Sequence, residues 1–165
     1  MSPAEQLRSI TLAGYERLQA QLDQLVTVRR PELASWLRDA RDGGGGPDRN
    51  SDHAEALEEH ALLERQIAAL RQTLALVKVI DYDADGTAGI GAYVRLRMPN
   101  GASTRHQLVG TAEAEPGQGR ISIQSPVGQA IFGRRRGDVV DVQAPGGTHR
   151  VEILEIAPPS DALAA

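Results

Sequence analysis

Seven carboxylates, Asp39, Asp42, Asp48, Asp52, Glu55, Glu58 and Glu59, fall within residues 38–59, opposed there only by Arg38, Arg41 and Arg49. Such a stretch makes one end of the segment strongly acidic. Taken alone, it reads as a solvated acidic loop. The histidines are scattered at positions 53, 60, 106 and 149. His53 and His60 are too far apart to share a metal without other ligands. His60 falls on an apolar seam, where a packed core histidine is expected. His106 and His149 lie on strand-like segments, and a cross-strand pair between them is not counted on. Gly43–Gly46 is glycine-rich but is not followed by Lys-Ser/Thr, so it is not a phosphate cradle. No G-x-S-x-G, H-E-x-x-H or P-loop is present. Arg134-Arg135-Arg136 is a local basic run. It has the chemistry to touch phosphate, but a solvated turn is the favoured reading. No self-contained enzyme site is visible.

The elements that must carry these residues divide the chain in two. From Thr11, a plausible N-cap after Ile10, Leu12, Tyr15, Leu18, Leu22 and Leu25 recur at helical steps. Pro31 interrupts the stripe, Leu33, Leu37 and Ala40 continue it, and one kinked helix is expected, ending at Asp42 before four glycines. A second helix is expected from Ser51 or Asp52. Its Ala56, His60, Leu63, Ile67, Leu70, Leu74 and Val77 step 4, 3, 4, 3, 4, 3, a heptad seam. Two long helices with no third to cover them imply an antiparallel coiled coil whose tip lies at about 42–51. After residue 80 the chain turns to short runs separated by Gly and Pro. Gly91–Met98 alternates at period two, Pro99-Asn100-Gly101 is a turn, and Thr104–Val109 completes a hairpin. Ile121–Ile123, Asp138–Val142 and His149–Ile156 are further strands, with Val127–Phe132 a short helix. The fold class expected is α+β: a coiled-coil hairpin over 1–80, a small antiparallel β domain with one short helix over 81–158, and a tail over 159–165.

Composition narrows the function classes. In 165 residues, 41% are hydrophobic but only 3% aromatic, so the core must be aliphatic. No cysteine is present, which excludes disulfides and thiol chemistry. The net charge of −4 and pI near 5.6 lack the basic excess of a typical nucleic-acid binder. No apolar run approaches the roughly 20 residues that span a bilayer, and the N-terminus shows no secretory h-region. A cytoplasmic location without membrane contact is the expectation.

Specific blocks then resemble the Gre family of bacterial transcription elongation factors. Thr11-Leu-x-Gly14-Tyr15-x-x-Leu18-x-x-x-Leu22 is similar to its first helix, and Val28-Arg29-Arg30-Pro31-Glu32 to its basic-Pro-Glu step. Arg49-Asn50-Ser51-Asp52-His53-Ala54-Glu55-Ala56 resembles the segment after the tip, usually E-N-A-E-Y-H-A-A. The strongest match is Ser125-Pro126-Val127-Gly128-Gln129-Ala130-Ile131-Phe132-Gly133, then Gly137-Asp138-Val139-Val140, then Ala144-Pro145-Gly146-Gly147. The resemblance implies an FKBP-like C-terminal domain that docks on RNA polymerase, with Ser125, Pro126, Val127 and Gly128 in the binding loop. It also implies a coiled coil entering the polymerase's secondary channel. There, two tip carboxylates help hold a second Mg²⁺ shared with the polymerase active site, and backtracked RNA is cleaved by the polymerase. No cofactor of the chain's own is expected, and nucleic acid is met only through the elongation complex.

The tip departs from the pattern. The family reads G-D-x-x-E-N where this chain, anchored at Asn50, reads Gly45-Gly46-Pro47-Asp48-Arg49-Asn50. The acids fall on Gly46 and Arg49, and Arg49 is a fixed cation. Asp48 and Asp42 are the remaining carboxylates able to approach a metal, with Asp52 also at the tip. The expectation is a Gre-type channel factor that docks and modulates transcription without cleaving efficiently. The alternatives are a cleavage factor using Asp48 or Asp42, a prolyl isomerase, and a plain coiled-coil interaction module. The isomerase lacks aromatics to line its pocket, having only Tyr82, Tyr93 and Phe132 in this half.

Overall fold

The computed structural model describes residues 5, 8–42, 47–83, 85–145 and 147–159, without the side chains of 40–42, 47–52 and 144. Its elements run β1 (Ser9–Ile10), α1 (Leu12–Gln24), a π-helical segment (Leu25–Arg29), α2 (Arg30–Asp42), α3 (Pro47–Leu76), β2 (Lys78–Val79), β3 (Tyr93–Arg97), β4 (Ser103–Val109), β5 (Arg120–Ser122), α4 (Pro126–Ile131), β6 (Val139–Ala144) and β7 (Gly147–Ala157). The class is α+β. Two compact units form, one of residues 16–76, the other of 1–15 with 77–165.

The helical unit is an antiparallel hairpin whose 30-residue α3 is about 45 Å long. Leu63 and Ile67 are buried against Leu22 and Leu33, with Leu25, Trp36, Leu70 and Leu74 packed around them. The heptad seam thus forms over its central turns. Leu12, at the start of the first stripe, is exposed, and His60 is half-exposed, its Nε2 3.8 Å from Glu64. His60 is therefore not a core histidine: the seam loosens where the ring stands beside a carboxylate.

Pro31 acts differently from a simple kink. The five residues before Arg30 wind as π-helix, and the Arg30 N–H donates to the Leu25 carbonyl, five residues back. Proline cannot donate, and its ring meets the carbonyl four residues earlier in an α ladder. Widening the preceding turn to π spacing relieves both problems without breaking the helix. The Thr27 hydroxyl donates to the Asp23 carbonyl within the widened stretch (2.7 Å). The second helix also begins earlier than Ser51. Pro47 opens it, in the first turn where its missing N–H costs nothing and its fixed φ suits the helix.

The β unit holds a five-stranded sheet in the order β5-β4-β3-β7-β6, parallel only between β4 and β5. The Pro99-Asn100-Gly101 turn joins β3 to β4, with Gly101 at φ 82° and Asn100 Oδ1 accepting the Ala102 N–H. A register shift between Arg95 and Leu96 marks the β3–β7 pairing. Val94, Leu96, Leu108, Val140, Val151 and Ile153 line one face and pack on Ile131 of α4. The core is aliphatic, as the composition demands. His106 faces Val94 across β3–β4, whereas His149 faces Val142 across β6–β7. The two histidines are not neighbours because β3 lies between their strands.

The N-terminal residues join this unit through a parallel pair, β1 with β2, that matches Ser9 to Lys78 and Ile10 to Val79. Gly110 permits the approach, since a Cβ there would stand 1.7 Å from the Ser9 carbonyl oxygen. Among the described residues, no helix is long and apolar enough to cross a membrane.

Candidate functional site

The root of the first helix is built around a buried carboxylate. Glu113 Oε1 accepts the Thr11 and Gly110 N–H groups (2.7 and 3.2 Å), and Oε2 accepts the Thr11 hydroxyl (2.7 Å). Thr11 Oγ1 in turn accepts the Gly14 N–H at 2.9 Å, the helix cap its residue type foretells. Gly14 has no room for a side chain, because a Cβ would lie 1.7 Å from Glu113 Oε2. Sequence reasoning missed this cluster. Its one signal was a glycine in the first helical turn, which needs a packing reason.

Farther along the hairpin, charges bind the two arms. The Arg30 guanidinium donates to both Glu64 oxygens (2.7 and 2.6 Å). This fork holds the Glu64 carboxyl below the ordinary glutamate range, against an opposing effect of burial, and raises Arg30. Arg29 lies 3.4 Å from Glu32 and 3.6 Å from Glu59. The basic-Pro-Glu step is thus where the arms are tied, beside a groove of about 520 Å³ that includes Leu25, Val28 and Leu62.

At the distal end, Asp42 closes α2 and Pro47, Asp48, Arg49 and Asn50 form the first turn of α3, with Asp52 one turn beyond Asp48. Gly46 lies outside the described residues, as do the side chains of Asp42, Pro47, Asp48, Arg49, Asn50 and Asp52. Among the described residues no three metal-ligating side chains converge.

The segment Ser125–Gly128 comes together as one turn at the start of α4. Ser125 Oγ donates to the Ser122 carbonyl (2.6 Å) and accepts the Gly128 N–H (3.1 Å), while Pro126 takes the first helical position. Gly128 is buried, with space for a Cβ only 2.0 Å from the Ser122 oxygen. Val127 packs against the aliphatic core. Of the four, Pro126 is the residue most open to a partner. It borders a depression of about 330 Å³ shared with Gln124, Gln129, Ala130, Asp141 and Gln143. The glutamines and Asp141 were not singled out from sequence, since only a strand and a helix brought together make them one surface. The aromatics do not gather there: Phe132 packs on the core and Tyr93 lies beneath the Arg105 guanidinium, 4.8 Å away. His106 is half-buried, and burial pushes its imidazole below the usual value.

Two family models match. The C-terminal GreA/GreB transcription elongation factor domain covers residues 83–158, and the transcription elongation factor N-terminal domain covers 8–79. The chain belongs to the GreA/GreB family. Transcription elongation factor GreA of Streptococcus gordonii is 33% identical over 156 residues, covering 93% of this chain and 97% of that protein. GreA of Thermoanaerobacter pseudethanolicus is 37% identical over 150 residues, 89% of this chain and 95% of its own. Among solved structures, GreA factor homolog 1 of Thermus thermophilus matches with 30% identity and a TM-score of 0.42, over 90% of this chain and 97% of that one. The chain is thus a Gre-type transcription elongation factor.

Proposed function

We propose that this Gre-type factor docks on bacterial RNA polymerase through the β unit. It places its hairpin in the secondary channel and modulates elongation without efficiently stimulating transcript cleavage. On this reading it regulates the polymerase and catalyses nothing alone. The observation that carries it is the pairing of a kept docking turn with an altered tip. Ser125 caps α4 and Gly128 packs beneath it as a preformed element, whereas Gly46 and Arg49 stand where the family's two acids belong. Beginning α3 at Pro47 puts Asp48 and Arg49 next to each other in one helical turn. That donor set does not fit a second Mg²⁺. Neither family position carries a carboxylate, and the fixed cation Arg49 at the second opposes a divalent ion, more strongly in a low-dielectric channel.

The test is competition in backtracked elongation complexes. Added alone with Mg²⁺, the chain leaves the RNA length unchanged. Added with a cleaving Gre factor, it slows that factor's shortening of the RNA in proportion to its concentration. Rapid shortening by the chain alone would assign the missing carboxylate to Asp48 or Asp42. Neither shortening nor competition would remove the channel from its function.

A further inference from the structure

Five arginines on the sheet of the β unit are engaged with its own side chains. Arg95, Arg97 and Arg150 lie 3.2, 2.7 and 3.5 Å from Glu155, Glu152 and Asp141. Arg120 is paired with Glu115, and Arg105 covers the Tyr93 ring. The run Arg134–Arg136 differs from these five. All three are exposed, and no carboxylate of the described residues forms a salt bridge with any of them. The nearby acids are engaged with neighbouring donors. Asp138 accepts the Arg135 N–H (2.8 Å), and Asp85 accepts the N–H and hydroxyl of Thr87.

The backbone beneath these side chains is held on both sides. Gly133 donates to Ala88, Ala88 to the Arg134 carbonyl, and Arg134 to Ile131. Gly137 donates to Ile153, and Ile153 to Asp138. Two left-handed glycines, Gly133 at φ 73° and Gly137 at φ 89°, bracket the run. The Asp85 carboxylate is held below the ordinary range chiefly by its Thr87 hydrogen bonds and in part by Arg135, so Arg134 and Arg136 carry the free positive charge. The pinned backbone leaves only side-chain ordering to be lost when an anion binds. Exposed Val139 lies just beyond the loop. An apolar side chain beside arginines suits a protein interface. The net charge of −4 argues against nucleic acid.

We infer that Arg134–Arg136 form a second docking element, which with Val139 takes an acidic surface segment of the protein partner. This rests on the docking reading above, with the polymerase as that partner. The experiment measures binding of the full chain to core polymerase at several salt concentrations. It compares wild type with Arg134→Glu/Arg136→Glu and Arg134→Ala/Arg136→Ala, each checked for an unchanged melting profile. The expected result is affinity at least about tenfold weaker for the glutamate pair. The alanine pair should weaken less and show a flatter salt dependence. Wild-type affinity in the glutamate pair would overturn the inference and leave the docking reading intact. Absence of wild-type binding would overturn both. Arginine-dependent binding to an isolated oligonucleotide, with polymerase binding unchanged, would reassign the loop to phosphate.

Discussion

At the scale of single residues, the buried Glu113 holds the root of the first helix by three hydrogen bonds. Gly14→Ala forces a methyl group into its carboxylate. The expected cost is about 2–3 kcal/mol, read as a lower urea midpoint with unchanged slope. Ser125→Ala removes a helix cap and should cost about 1 kcal/mol, whereas Gly128→Ala meets backbone and should cost more. A melting series in which Ser125→Ala is the more destabilising of the two would contradict that packing. Some of this was legible in advance. Thr11 and Ser125 announce caps by residue type and by the helix-forming residues after them. The Glu113 contact was not, because it joins residues 102 apart in sequence, a separation that no local pattern reports. By composition the tip acids read only as a solvated loop; metal chemistry entered with the family resemblance, and aligning on Asn50 sets Arg49 against one of the family's acids.

At the scale of elements, the heptad seam was readable where it packs. Leu63 and Ile67 are buried as their spacing requires, and Ile67→Ala should cost about 2–5 kcal/mol of helical-unit stability in a thermal melt. The π segment could not be read from periodicity, since Pro31 announces a disturbance without saying which of several repairs the helix adopts. The start of α3 was hidden by composition, because Gly, Pro, Asp and Asn suggest a loop while Pro47 also suits a first turn. The Arg30–Glu64 fork gives this element a pH dependence. Glu64 is held below its ordinary range, so the folded state binds fewer protons than the unfolded chain. The stabilisation is complete above the ordinary glutamate value and is lost as pH falls through the lowered one. Melts of wild type and Glu64→Gln between neutral and acidic pH should converge toward the acidic end. A constant separation would assign the difference to packing.

At the scale of the whole molecule, two units with separate cores divide the work that the family resemblance assigns. The helical unit carries the tip, and the β unit carries the Ser125–Gly128 turn proposed to dock. Short strands such as β1 and β2 escaped sequence reading because two residues each give no alternation to detect. The larger division was plain, since a period near 3.5 gives way to a period of two after residue 80. Its consequence is that docking and cleavage should separate by mutation. Pro126→Glu should weaken competition for the polymerase, and changes at the tip should leave competition intact.

The most direct measurement compares RNA cleavage in backtracked complexes by wild type and by Gly46→Asp/Arg49→Glu, at concentrations where both compete with a cleaving factor. The account predicts unchanged RNA with wild type and shortened RNA with the restored tip, at equal competition. Efficient shortening by wild type, or equal rates for the two proteins, would contradict it.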